Sequence, residues 1–389
     1  MNMSNPDNCI LQHKFIVFCG DHYNPLTLIR SLGEDGIAPI VILAHPSPYL
    51  VPKSKYIGTL HRVNTNEEGF QLLYEKYGNE ELKPFVYSCS DDIESLLDTN
   101  FSILENKFYF FNAGTNGGIT HFMDKEMILR AAEQCGIPVP KSEVVKHGSL
   151  PATVPFPIIT KSIKSTVGGW KNDVFVCRNE KELLESYNYI KSDPVLIEEY
   201  IEKDNELCID GISINGGQEI FMPFQANYIR FTNKSYGNYM TISPFRDLEL
   251  ERKIKQLFRL TKFSGIFSIE FLITKDNELK FLEINFRHST WALSSKLGGA
   301  NLPKIWAQSM LAQQLETGKL ELREQPFTAM AELSDFNDHV RHGNLSFRQW
   351  IKDFRNCECT YIYNSKDKKP FYSLITHSLL IILRKYIRI

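Results

Sequence analysis

The sequence predicts a mixed α/β chain, a doubly wound parallel sheet followed by α+β units built on antiparallel strands. Strand and helix signals alternate from Lys14 to Asn112, as they do where helices cover both faces of a parallel sheet. Beyond Pro157, β-rich runs follow one another with few helices between them. Gly265 to Arg287 reads as a hairpin, two runs of β-branched and aromatic residues around the polar tetrad Lys275-Asp276-Asn277-Glu278. A chain of 389 residues has room for two or three such domains.

In the first third, Lys14 to Cys19 is a buried-type strand followed by Gly20-Asp21-His22-Tyr23. Asn24-Pro25 offers an N-cap and a first-turn proline to a helix carrying Leu26, Ile29 and Leu32, stopped near Gly33 to Gly36. A strand from Ala38 to Ala44, a helix from Asn66 to Tyr77, a strand from Phe85 to Ser88 and a helix from about Asp91 to Leu104 come next. Phe108 to Asn112 closes the series. The first strand–helix turn lacks G-x-G-x-x-G, which weakens a dinucleotide reading. Asp21, His22 and Asn24 stand where such sheets bind ligands, and an ordinary capped turn explains them equally well.

Asp124 is an N-cap, followed by Lys125 and an apolar run to Ala132, with Gly136 and Pro138 as terminators. A lysine in a first turn meets the positive end of the helix dipole, so it makes better sense reaching an anion. Taken alone, a solvated lysine explains it. Pro157 to Thr160 is a strand leading to Lys161 and a Ser/Thr/Gly-rich loop through Gly168-Gly169-Trp170. Such a loop can lay backbone N–H groups over phosphates. No Walker A pattern is present, and a plain hairpin turn is the alternative. Asn179 and Glu182 form a capping box for a helix to Ile190. Pro194 to Ile201 is a strand, Glu206 opens another through Ile214, residues 218–245 hold further strands, and Asp247 to Phe263 is an amphipathic helix.

With the hairpin turn centred between Asp276 and Asn277, Glu270 falls directly opposite Glu283. Cβ atoms so placed lie about 5 Å apart, and like charges there repel by roughly 3 kcal/mol at an effective dielectric near ~20. Asn285 shares their face and Arg287 follows by the same period of two. Two carboxylates and an amide oxygen suit Mg2+ (or Mn2+) held together with substrate phosphates. A carboxylate turned to solvent, or a proton shared between the acids, is the alternative.

After Arg287 come His288-Ser289-Thr290-Trp291 and a helix from about Pro303 to Glu316. Residues 371–389 form an apolar helix ending in Arg384-Lys385-Tyr386-Ile387-Arg388-Ile389. Too short to span a bilayer, it either docks on the protein or makes a weak membrane-surface contact. Hydrophobic content of 43% and aromatic content of 12% suffice for packed cores, and a formal charge of −2 gives no basic excess for nucleic acid. The eight cysteines are scattered, and Cys357 and Cys359 do not have zinc spacing. Without an apolar N-terminal segment of signal length, the expectation is a soluble cytoplasmic protein, peripheral at the membrane if the tail binds there.

In this order the motifs resemble the ATP-grasp superfamily of carboxylate–amine ligases, over residues 14–312. The fragments GDHYNPLTLIRSLGEDGI, DKEMILRAAEQCGIPVPKSEVV, VLIEEYIE and FLEINFR are most similar to the D-aspartate ligase and short carbamoyl-phosphate-synthase-like branch. The resemblance implies a Rossmann-like pre-ATP-grasp domain (1–115) and two α+β subdomains clasping the nucleotide. These are an ATP-grasp N-terminal subdomain (116–202) and a C-terminal one with the metal hairpin (203–345), followed by an extension (346–389). It places Lys125 and Lys161 on the phosphates of ATP, and Ser165 to Gly169, Gly168 included, as the loop closing over them. Glu198, Glu199, Tyr200 and Ile201 are the strand whose backbone reads the adenine edge, and Glu206 is the ribose acid. Glu270, Glu283 and Asn285 are magnesium ligands, and Arg287 steadies an acyl phosphate. The basic residue expected within 225–240 is Arg230 in preference to Lys234.

The implied reaction is ADP-forming. A carboxylate is activated as an acyl phosphate and captured by an amine, giving an amide or peptide-like bond on an amino acid or a cell-envelope precursor. Relatives of this kind are often homodimers. Phe286 replaces a small residue or proline, and His288-Ser289-Thr290 replaces a glycine-containing continuation. Both changes lie on the acceptor side and leave the substrates open. An ATP-binding protein without catalysis is a second reading, opposed by retention of both glutamates, Asn285 and Arg287. A carbamoyl-phosphate-type phosphotransferase is a third, disfavoured by a single ATP-grasp unit and no glutaminase.

Overall fold

Residues 9–47, 49–163, 170–232, 235–343 and 345–387 are described by the computed structural model of the protein, and three sheets organise them. The first is parallel, in the order β3-β2-β1-β4, from β1 (Phe15–Cys19), β2 (Ile40–Ala44), β3 (Thr59–Val63) and β4 (Phe85–Ser88). Every residue of β1 and β4 is buried, as strands covered on both faces require. Helix α1 (Tyr23–Gly33) joins β1 to β2, α2 (Asn66–Tyr77) joins β3 to β4, and α3 (Asp91–Thr99) follows β4. The edge strand β3 has no place in the sequence reading, because Thr59-Leu-His-Arg-Val is mostly solvent-facing and lacks an apolar run. Phe108 to Asn112 is not a closing strand. It makes single bridges, Tyr109 to Phe85 and Asn112 to Ser264. The helix expected from Asp91 to Leu104 breaks at Asn100.

The turn after β1 is largely structural. His22, not Asn24, is the N-cap of α1, its ring accepting from the Asn24 N–H at 3.2 Å. Asp21 accepts from the backbone N–H groups of Tyr49, Leu50 and Val51.

Helix α4 (Lys125–Gln134), capped by the Asp124 carboxylate at the N–H groups of Glu126 and Met127, leads to a small antiparallel sheet. Its order is β5-β8-β6-β7, from β5 (Ser142–Val145), β6 (Ile158–Ser162), β7 (Val176–Cys177) and β8 (Val195–Glu199). This sheet packs a core of its own, including Val145, Val154, Ile158, Leu183 and Ile197.

The third sheet has seven strands in the order β13-β12-β9-β10-β11-β14-β15. They are β9 (Lys203–Ile214), β10 (Glu219–Thr232), β11 (Ser235–Pro244), β12 (Gly265–Thr274), β13 (Leu279–Asn285), β14 (Phe327–Met330) and β15 (Cys359–Thr360). Helix α5 (Leu248–Thr261) buries Leu250, Ile254 and Leu257 against it. One continuous core joins this sheet to the first, with Val17, Tyr87, Ile209, Phe267 and Trp306 in a single cluster. Trp306 meets Tyr87 and Phe111 edge-on at 5.2 and 4.9 Å.

The extension read at 346–389 is knitted into this block, since β15 pairs in parallel with β14. Fully buried Arg30 of α1 bonds the Asp367 carboxylate at 3.1 Å and the carbonyls of Tyr361 and Ile362 at 3.1 and 3.0 Å. Helix α6 (Lys369–Ile387) packs Phe371 and Leu374 against the core and leaves Tyr372, Leu379 and Leu380 exposed. Among the described residues no helix is long and apolar enough to cross a membrane. All eight cysteines are free thiols.

Candidate active site

The hairpin sets Glu270 opposite Glu283 and Ser268 opposite Asn285, by a different route from the one the sequence suggests. The turn is centred on Asp276. Thr274 pairs with Glu278, and Asn277 takes the left-handed conformation at φ 61°. From that turn alone, Leu282 would face Glu270. A bulge between Phe281 and Glu283 absorbs one residue and brings Glu283 round to the facing position.

Register extends the face across three strands. Leu272 is opposite Glu206, Glu270 opposite Cys208, and Ser268 opposite Asp210. By strand alternation Glu206, Asp210, Glu270, Glu283 and Asn285 therefore share one side. The Asn285 amide N–H group lies 3.4 Å from a carboxylate oxygen of both Glu270 and Glu283. Burial and the Glu283 charge push the Glu270 carboxyl well above the usual range. Two acids converging on one amide, one of them held reluctant to ionise, are the donor set a divalent cation satisfies. The remaining positions of such an ion go to phosphate oxygens and water. Among the described residues no cluster of three His, Cys, Asp or Glu side chains at metal-binding spacing occurs.

Lys125 reaches this face, and Lys161 stands near enough to act on its charge. Lys125 lines one cavity with Asp91, Glu198, Glu283, Asn285 and Phe286. Its ammonium donates to the Ser162 carbonyl at 3.0 Å, and burial lowers its pKa against the opposing pull of Glu283. Lys161 donates to Glu198 at 2.5 Å. The Glu198 side chain, buried on β8, is thus a tether for that lysine. The backbone N–H groups of Glu199 and Tyr200 bond the carbonyls of Lys141 and Pro157, at 2.8 and 2.9 Å. An adenine edge read by this segment's backbone must therefore use Ile201 or a carbonyl. Glu206 pairs with Lys203, and burial raises its pKa. Ser165, Gly168, Gly169 and Lys234 lie outside the described residues.

Arg230, expected on the phosphates, instead makes a two-point bond to Asp335 at 3.1 and 2.7 Å and another to Asp353 at 2.7 Å. Its guanidinium stacks on Tyr239 and holds the third sheet to the C-terminal segment.

Arg287 turns toward the first sheet. Its Nε donates to Asp91 Oδ1 at 2.6 Å and a terminal nitrogen donates to Asn285 Oδ1 at 2.9 Å. Next to it, buried His288 bonds Asn24 twice. The ring Nδ1 meets Asn24 Oδ1, and the His288 carbonyl accepts from Asn24 Nδ2, both at 2.8 Å. Burial and the Arg287 charge push the His288 pKa down to about 3, so the ring is neutral.

The sequence reading missed Asp91 and Asp210. Asp91 passes as an ordinary first-turn acid of a helix. Asp210 stands four residues from Glu206 along β9, so the same period of two was the signal available. It accepts from Ser289 at 2.8 Å, and burial pushes its pKa up to about 7.

A family model described as ATP-grasp domain matches residues 130–293, from inside α4 to just past Arg287. The multifunctional protein URA2 of Saccharomyces cerevisiae is 24% identical over 213 residues, 52% of this chain and 10% of that protein. An N5-carboxyaminoimidazole ribonucleotide synthase of Staphylococcus epidermidis is 28% identical over 134 residues, 33% of this chain and 34% of that protein. The chain thus spans about a third or less of the length of these relatives. Among solved structures, an N5-carboxyaminoimidazole synthetase from Staphylococcus aureus superposes with a TM-score of 0.64 at 17% identity, covering 85% of this chain and 86% of that one. An L-amino acid ligase from Bacillus licheniformis gives 0.62 at 12% identity, covering 81% and 79%. Residues 130–293 match the ATP-grasp domain model, and the superpositions show that this chain has the ATP-grasp fold.

Proposed function

We propose that the protein is an ATP-dependent, ADP-forming ligase that joins a carboxylate to an amine. The observation that carries this is the single cavity in which Glu283, Asn285 and Lys125 converge with Asp91, the partner of Arg287. A pure nucleotide binder has no use for a two-carboxylate hairpin aligned with a guanidinium.

Glu270, Glu283 and Asn285 would hold Mg2+ or Mn2+, whose charge offsets that developing on the transferring phosphoryl group. Lys125 and Lys161 neutralise phosphate oxygens of ATP, the second steered by Glu198. Ser165 to Gly169, outside the described residues, are assigned to cover the triphosphate, Glu206 to meet the ribose, and Ile201 or a neighbouring carbonyl to meet the adenine. A substrate carboxylate attacks the γ-phosphorus, Arg287 steadies the acyl phosphate, and an amine displaces the phosphate. The described side chains do this by placement and charge, with no nucleophilic residue.

The relatives named as a synthase and a ligase support a bond-forming role. Assignment to the D-aspartate ligase branch and the cytoplasm, a homodimer and a membrane contact of residues 371–389 belong to the same proposal. Light scattering and vesicle co-sedimentation check the last two. The deciding experiment screens pairs of carboxylates and amines for ADP release, with mass detection of the product. Amine-dependent ADP release with an amide product is expected. ATP bound but never turned over would favour the non-catalytic reading, and carbamoyl phosphate as product the phosphotransferase.

A further inference from the structure

We infer that Asp91 anchors the amine substrate, binding it as a primary ammonium group that enters from the side of the parallel sheet. The inference rests on the ligase reading above. Asp91 belongs neither to the phosphate lysines nor to the hairpin. It opens α3 directly after β4, and β4 lies beside β1 while the chain leaves β1 toward β2 on the other side. In open parallel sheets the crevice outside the carboxyl ends of the strands, at such a reversal of order, is where ligands bind. The end of the hairpin is held in this crevice. Asn24 Nδ2 bonds the carbonyls of both His288 and Cys89, at 2.8 and 3.2 Å, and Arg287 reaches Asp91 at 2.6 Å. The guanidinium assigned to the acyl phosphate and the Asp91 carboxylate therefore stand side by side, with Asp91 on the wall of the cavity that Lys125 and Glu283 line.

Electrostatics select the ligand. ATP and a substrate carboxylate bring several negative charges into the cavity, and a carboxylate beside them is repelled unless a cation meets it. In the nucleotide-free protein Arg287 meets Asp91 directly and Lys125 adds positive charge from the same cavity. Once Arg287 directs donors to an acyl phosphate and Lys125 meets phosphates of ATP, that charge is shared, and a further cation beside Asp91 restores the balance. The nucleophile of an amide-forming ligase arrives as such a cation, a compact ammonium with three donors. Glu94, one turn along α3, is bonded to Ser88, and burial pushes its carboxyl well above the usual range. It does not line the cavity and so does not compete with Asp91 for the ammonium. An amine held at Asp91 sits next to the carbonyl carbon that Arg287 orients, as proximity catalysis requires; the ammonium first gives up a proton to solvent, its freed lone pair then forms the C–N bond, and phosphate leaves with the electron pair of the broken C–O bond.

Asp91→Asn tests this, because the amide keeps an acceptor for Arg287 and removes only the charge. Wild type and variant are given MgATP and a pool of L- and D-amino acids at neutral pH, with and without hydroxylamine. Hydroxylamine is uncharged there and needs no anchor. The variant is expected to raise the KM for the amine about 30-fold or more, several times more than any fall in its hydroxamate formation. Asp91→Glu, which retains the charge, recovers part of that loss. Hydroxamate and amide falling together with an unchanged melting temperature would overturn the anchor and leave Asp91 as a support for Arg287; undiminished amide formation by Asp91→Asn would also overturn it. Wild-type protein that forms no hydroxamate and releases no ADP overturns the ligase reading, and the anchor with it.

Discussion

Glu283 and Asn285 were legible as one face because a strand has a period of two, whereas Glu270 comes to face Glu283 only through the bulge at Leu282 and Arg287 lies just past the strand's end. Asp91 and the Asn24–His288 pair were not, because their partners lie 196 and 264 residues away and no local pattern reports contacts at that distance. At the shared face, Glu283→Gln removes one of two charges and Arg287→Ala the guanidinium. Each is expected to lower ADP release by at least about 100-fold while thermal melting stays near wild type. His288 offers a test by pH. Its folded pKa of about 3 lies below the ordinary 6.5, so the folded state resists protonation. The stability this contributes is complete above pH 6.5 and is lost as the pH falls from there toward 3. The slope is about 1.4 kcal/mol per pH unit. Asp210 and Glu332, pushed up to about 7, act in the opposite sense, so the difference between wild type and His288→Asn isolates the ring. An identical pH dependence of denaturant midpoints in the two proteins would contradict it.

Among the elements, helices with a side-chain N-cap came through almost residue for residue, α2 capped by Thr65 and α5 capped by Asp247 among them. Edge elements did not. β3 carries little burial, and the break at Asn100 depends on contacts of the surrounding fold. The hairpin is the instructive case, since its turn is shifted by half a residue and the bulge at Leu282 cancels the shift. Turn chemistry and the face pattern were separate constraints, and the bulge reconciles them. Asn277 is the point at which the turn is most sensitive. A β-branched side chain at φ 61° costs roughly 1–2 kcal/mol, so Asn277→Val should lower the unfolding free energy by that amount and Asn277→Gly should not. Equal urea midpoints for the two variants would show that the turn carries no such constraint.

For the whole molecule, the parallel sheet and the seven-stranded sheet share one core, closed by Arg30 and Asp367 from opposite ends of the chain. Sequence reasoning placed most strands of both sheets but not β3, β14 or β15. It took the C-terminal segment for an appendage, because a pair 337 residues apart leaves no trace in composition. Asp367→Ala leaves a buried guanidinium without its counter-charge and should cost about 3–5 kcal/mol in chemical denaturation. The small sheet, by contrast, packs a second core on one face while Leu196 of β8 joins the main one, and it carries Lys161 and Glu198. A structure built as one fused mass plus one separately packed flap keeps two clocks. In nucleotide-free protein the amides of β6 and β8 should take up deuterium well before those of β9 and β12, and saturating MgATP should slow the fast set while leaving the slow set where it was.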